Sequence, residues 1–130
     1  VSTFVIDTHA FVWYLDGDKR LSKSAERELD SSGAVLVFPT VVLAEVKYLF
    51  ARKRIRTSFS SVMETIETDD RCIIYPFDLL CVELLDERLD LHDGVIAATG
   101  VILRDRIDPS PKVITKDTKI RELGIIETLW

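Results

Sequence analysis

Short apolar runs separated by helical patterns constrain the fold of this chain more than any other feature. Residues 3–6, 34–38, 72–75 and 112–115 read as strands, and Ile125 to Leu129 as a final edge strand. Ala34-Val35-Leu36-Val37-Phe38 shows no polar alternation, as expected of a strand buried on both faces. Helices are predicted between them. One spans about 9–15, and a second starts at Ser22 as N-cap and runs to about Leu29. A third starts at Pro39-Thr40, with Thr40 as cap and Val42, Leu43, Val46, Leu49 and Phe50 as its apolar stripe. Thr57 or Ser58 caps a fourth, to about Thr68, and Asp78 caps another that runs to about Leu89. The stretch from Asp93 through Leu103 is apolar almost all round and predicts a buried central helix. After a loop at 107–111 comes a short helix over 118–123, ended by Gly124. Strands separated by helices imply βαβ units. The expectation is an α/β three-layer sandwich with a mostly parallel central sheet, residues 1–130 forming one domain.

The chain's 130 residues suffice for a proper core. No apolar run reaches the length of a membrane span, and Asp7 and His9 interrupt the N-terminal apolar stretch as a signal sequence would not allow. The sequence thus reads as cytoplasmic. Cys72 and Cys81 sit among apolar neighbours outside any metal pattern, which suits core packing in a reducing compartment. The absence of Asn and Gln, with only one Met, hints weakly at a thermophile.

A formal charge of −5 argues against broad non-specific nucleic-acid binding, but not against a nucleic-acid substrate. Lys47, Arg52, Lys53, Arg54 and Arg56 gather in one segment. They read either as a solvated helix end, favoured by the helix dipole, or as contacts to a phosphate backbone.

Four acids stand where hydrophobic elements begin or end. Asp7 closes the first strand, Asp117 follows Val113-Ile114-Thr115-Lys116, Asp93 opens the central helix, and Glu45 lies at the edge of the third helix's stripe. In open parallel sheets, ligands bind beyond the carboxyl ends of the strands. These four should therefore meet at one rim, where like charges repel unless a cation holds them. Oxygen-only ligands suit Mg²⁺ or Mn²⁺. Zinc is disfavoured because neither His nor Cys lies at ligand spacing. Such a site performs metal-assisted phosphodiester hydrolysis. Each acid also has a local reading: Asp7 as a turn residue, Asp93 as a first-turn charge, Glu45 as an ion-pair partner, Asp117 as an N-cap.

The segment from Asp7 to Trp13 resembles the first motif of PIN domains, particularly VapC-like toxins of toxin–antitoxin pairs. Leu43-Ala44-Glu45 is similar to their second motif, Leu91 to Thr99 to the third, and Ile114-Thr115-Lys116-Asp117 to the fourth. The resemblance covers essentially the whole chain. It implies a Mg²⁺- or Mn²⁺-dependent endoribonuclease of single-stranded RNA, with Asp7, Glu45, Asp93 and Asp117 as its catalytic and metal-binding acids. It also implies that Thr115 holds an acid or water in place. A homodimer and a small VapB-like antitoxin partner belong to the same expectation. Gly94 departs from the pattern, since many relatives carry Arg or Ala there. The change is expected to loosen the helix start or remove a basic contact while sparing the carboxylates.

His9 and His92 adjoin two of the acids; they read either as touching substrate or the pocket wall or, more simply, as having local structural roles. Core packing is likewise simpler than base stacking for Phe11, Trp13 and Tyr14. Two alternatives stay open. One is a PIN nuclease of RNA processing or repair without an antitoxin. The other is an inactive α/β or receiver-like binding module, for which Lys116 is a poor candidate lysine because an acid follows it directly.

Overall fold

The computed structural model describes residues 2–130. Its strands are β1 (Ser2–Ile6), β2 (Ala34–Pro39), β3 (Cys72–Tyr75), β4 (Lys112–Ile114) and β5 (Glu127–Leu129). The helices are α1 (Thr8–Asp16), α2 (Lys23–Asp30), α3 (Thr40–Ala51), α4 (Phe59–Thr68), α5 (Leu79–Glu83), α6 (Leu91–Arg106) and α7 (Lys119–Leu123). The sheet order is β3-β2-β1-β4-β5, and every neighbouring pair is parallel.

The period-two direction of strand side chains divides the core. Phe4, Ile6, Leu36, Phe38 and Ile114 pack with Phe11 of α1, Leu29 of α2, and Val62 and Ile66 of α4. Val5, Val37 and Val113 face the other way, against Ile96 and Leu103 of α6 and Ile120 of α7. Many of these side chains are fully buried, each contributing about 1.5–3 kcal/mol of hydrophobic transfer. Helices therefore cover both faces of the sheet, giving the three layers of the expected α/β fold. Among the described residues, no helix is long and apolar enough to cross a membrane.

Most helix starts follow the caps read from the sequence. The hydroxyl of Ser22 accepts the Ala25 N–H at 3.1 Å, and that of Ser58 accepts the Ser61 N–H at 3.1 Å. Asp78 accepts the Cys81 N–H at 3.0 Å. Three expectations need correction. The helix after Asp78 stops at Glu83, well short of Leu89. Asp86 there accepts the Arg88 backbone N–H at 3.0 Å and pairs with its guanidinium, a local turn that competes with helix continuation. Thr40 is not a cap; its hydroxyl accepts the Phe77 N–H at 3.0 Å and ties the start of α3 to the segment after β3. The central helix begins at Leu91, capped by Asp90, whose carboxylate accepts the Asp93 N–H at 2.9 Å.

Strand order explains where a site can form. From β1 the sheet grows through β2 to β3, and β4 then lies on the other side of β1. The carboxyl ends of β1 and β4 thus flank the switch point, where a crevice opens.

Candidate active site

Asp7 is the first residue after β1, and its N–H donates to the Ile114 carbonyl at 3.1 Å, locking it beside β4. One carboxylate oxygen accepts the Thr8 N–H at 2.8 Å and caps α1. The other accepts the Thr115 hydroxyl at 2.6 Å. Thr115 lies just past β4, 2% exposed, and its oxygen also accepts the Asp117 N–H at 3.0 Å. One buried hydroxyl therefore joins two acids that are 110 positions apart in sequence. Asp117 in turn accepts the Lys119 N–H at 2.9 Å, but the N-cap of α7 is Thr118, so the cap reading of Asp117 is corrected.

Asp93 sits in the first turn of α6 and is 4% exposed. Glu45 projects from α3. The four acids line one cavity of about 480 Å³, together with His9, Trp13, Asp90, His92 and Lys116. The side chain of His92 bridges α3 and β1: its Nε2 lies 3.3 Å from Asp7 and 3.2 Å from Glu45. A cavity of similar size, about 420 Å³, lies between Arg104, Pro109, Arg121 and β5; its only carboxylate is Glu127.

The electrostatics of the cavity are uneven. Burial pushes the Asp7 carboxyl up, but hydrogen bonds from His92 and Thr115, the His92 charge and the Thr8 N–H outweigh it, so the group lies below its ordinary value. Burial opposes the charge of His92, yet its hydrogen bond to Asp7 and the nearby Glu45, Asp7 and Asp93 carboxylates raise its pKa. Asp93 has less support. Burial first, then the charges of Asp117, Asp90 and Asp7, push it up to about 6, against the lowering charge of His92. The rim thus gathers more negative charge than its own side chains neutralise.

A family model described as the PIN domain matches residues 4–126. The chain belongs to the PIN domain family. PIN domains are nucleases, so an acidic cavity at the switch point is the place to look for the chemistry of this one. Among solved structures, VapBC2 from Rickettsia felis bound to a DNA fragment from their promoter is similar, with a TM-score of 0.63 and 15% identity over 98% of each chain. VapBC-1 from nontypeable Haemophilus influenzae matches with the same TM-score and identity, over 98% of this chain and 96% of that one. At such identity these likenesses establish the fold. No curated protein gives a significant sequence match.

Within this PIN domain, Asp7, Glu45, Asp93, Asp117 and Thr115 come together as neighbours on one cavity wall or directly behind it. The basic segment divides. Lys53, Arg54 and Arg56 line a cleft that shares His9 and Trp13 with the acidic cavity. Arg52 instead lies over the Tyr48 ring at 3.3 Å, and Lys47 over Phe59 at 5.0 Å. Phe11 is core, and Tyr14 donates its hydroxyl hydrogen to Asp30 at 2.6 Å. Trp13 is mostly core too, edge-on to Trp130, with one rim exposed to both cavities.

Sequence spacing misjudged His92. Its Nε2 and one oxygen each from Asp7 and Glu45 lie within 4.8 Å of one another, close enough to hold one ion. His92 thus lies at ligand distance despite its sequence spacing, because packing of α3 on α6, which no local spacing reports, creates the juxtaposition. Asp90, which caps α6, and Lys116 also line the cavity. Gly94 does not loosen the start of α6. It is buried inside the helix, and its N–H donates to the Asp90 carbonyl at 2.8 Å.

Proposed function

We propose that this PIN domain is a Mg²⁺- or Mn²⁺-dependent endoribonuclease that hydrolyses phosphodiester bonds of single-stranded RNA. The observation that carries the reading is the convergence of Asp7, Glu45, Asp93 and Asp117, from four separate elements, on one cavity. The donor set fits a hard divalent ion. It is dominated by carboxylate oxygens, and the elevated Asp93 marks a place where negative charge lacks a counter-charge. When bound, such an ion lowers the pKa of an attacking water and offsets charge developing on the phosphoryl group.

The chain's own residues supply the rest. Thr115 fixes Asp7 in one rotamer and positions Asp117 through its backbone, so the acid geometry is set before substrate arrives. His92 Nε2 sits between Asp7 and Glu45, 3.3 and 3.2 Å away, and links the two carboxylates at the cavity wall. Lys116 lines the same cavity over the Trp13 ring, 5.6 Å from its centre, and is placed to meet a substrate phosphate.

The order of the four motifs and the likeness to VapBC structures support a toxin of a VapBC-type pair, working in the cytoplasm as a homodimer and restrained by a VapB-like antitoxin. The decisive experiment is cleavage of labelled single-stranded RNA. Activity should require Mg²⁺ or Mn²⁺, stop with EDTA, and fall by about 100-fold or more in Asp7→Asn and Asp93→Asn, since several kcal/mol of barrier lowering is removed. Variants that cleave as well as the parent sink the mechanism. Growth arrest on expression, relieved by a co-expressed neighbouring gene, tests the toxin assignment.

A further inference from the structure

Three helices of this protein are followed by a residue in the left-handed backbone region. After α1 and α7 that residue is glycine, Gly17 at φ 64° and Gly124 at φ 67°. After α3 it is Lys53, at φ 58°, the one positive-φ residue other than glycine among those described. The surrounding hydrogen bonds form a Schellman turn: the Lys53 N–H donates to the Phe50 carbonyl at 3.0 Å, and the Arg54 N–H to the Leu49 carbonyl at 2.9 Å. Glycine meets this geometry without a Cβ penalty, so lysine is the strained choice. A cation also suits the negative end of a helix, but Arg52 and Arg54 on either side already supply that.

The cleft beside this turn explains the choice. Lys53, Arg54 and Arg56 line it, and it adjoins the acidic cavity through His9 and Trp13. Its two carboxylates have hydrogen-bond partners of their own. Asp18 pairs with Arg20 at 2.8 Å, and Asp16 accepts the Thr57 hydroxyl at 2.8 Å. Lys53, Arg54 and Arg56 make no salt bridge among the described residues. In a chain with net charge −5, three unpaired cations next to four gathered acids form a strong local contrast. The cleft holds about 160 Å³, below the roughly 300 Å³ at which small-molecule sites usually begin, and is suited to a phosphate group rather than a nucleoside.

We infer that Lys53, with Arg54 and Arg56, forms a phosphate subsite that grips the RNA strand beside the cut, and that the strained turn is kept because it aims the lysine there. This rests on the ribonuclease reading above. Lys53→Gly tests it well, because the substitution relieves the backbone while removing the charge. Binding of a single-stranded RNA of about 12 nucleotides is followed by fluorescence anisotropy across a salt series, in an Asp93→Asn background that prevents cleavage. Lys53→Gly should reduce the slope of log affinity against log salt by about 0.7, roughly a fivefold loss at 0.1 M relative to 1 M. Lys53→Arg should keep the parent slope. So should Arg106→Ala, an equal charge change at the far end of α6, roughly 20 Å from Asp93. The thermal midpoint of Lys53→Gly should equal or exceed that of the parent.

A parent-like slope in Lys53→Gly, or equal losses in Lys53→Gly and Arg106→Ala, overturns the subsite and leaves the cleft to a protein partner. A lowered midpoint in Lys53→Gly overturns it too, by giving the lysine a structural role. Either result, alongside RNA cleavage by the wild type, leaves the ribonuclease reading intact. If wild-type protein neither binds nor cleaves RNA, both fail.

Discussion

Thr115 makes two hydrogen bonds through one hydroxyl: it donates to Asp7 and accepts from the Asp117 backbone. Thr115→Val keeps the shape and removes both. The prediction is a 10- to 100-fold loss of Mn²⁺ affinity with the fold retained, measured by calorimetry beside a circular dichroism spectrum. Parent-like affinity would make the hydroxyl incidental. Tyr14 offers a test of local electrostatics away from the cavity. Burial, then its hydrogen bond to Asp30, pushes the phenol up to about 12. Because the folded value lies above the unfolded value of about 10, the contact contributes stability below pH 10 and loses it as pH rises through about 12. Ultraviolet titration should show Asp30→Asn bringing Tyr14 back toward 10. Asp7, Asp93 and Asp117 were legible in the sequence because each stands at the end or start of a hydrophobic run, Glu45 because it edges a helical stripe, and Thr115 only through the resemblance to the fourth PIN motif. His92 was not, since its partners Asp7 and Glu45 come from β1 and α3, and only tertiary packing brings them to it.

Helix α6 carries Asp93 and runs through the middle of the molecule, so its packing sets the position of the third acid. Two glycines on it make opposite predictions. A Cβ at Gly94 would meet the end of the Leu85 side chain at 3.3 Å and, at ordinary contact distance, the Asp86 carbonyl oxygen at 3.8 Å. Gly94→Ala should therefore raise stability by about 0.5–1 kcal/mol through helix propensity. At Gly100 the Cβ would lie 2.9 Å from Cγ1 of Ile126, itself buried, and overpacking of about 1–3 kcal/mol should exceed that gain. Urea denaturation of both variants checks the pair; a stabilised Gly100→Ala would mean that β5 and its approach yield more easily than the packing suggests. Strand and helix identities were readable from apolar runs and caps such as Ser22, Ser58 and Asp78. The early end of α5 was not, because the Asp86–Arg88 turn that replaces its last residues is a local competitor hidden within a helical pattern.

The parallel sheet, its two covering layers and the acidic rim follow from one topological fact: β4 lies on the other side of β1 from β2 and β3. The alternation of runs and helices was enough to read the architecture, and the placement of Asp7 and Asp117 after strands was enough to expect a shared crevice. Division of the basic segment between the cleft and the Tyr48 and Phe59 rings could not be read, since the turn after α3 separates Lys53, Arg54 and Arg56 from Arg52, and Lys47 meets Phe59 only through packing of α3 on α4. The proposed chemistry depends most on a cation held jointly by carboxylates just after β1, on α3 and α6, and after β4. Anomalous diffraction from a crystal soaked in MnCl₂ tests this directly. The prediction is a manganese peak in the 480 Å³ cavity, roughly 2.0–2.2 Å from oxygens of at least two of Asp7, Glu45, Asp93 and Asp117. An empty cavity at saturating Mn²⁺, with the acids in their present places, would contradict it.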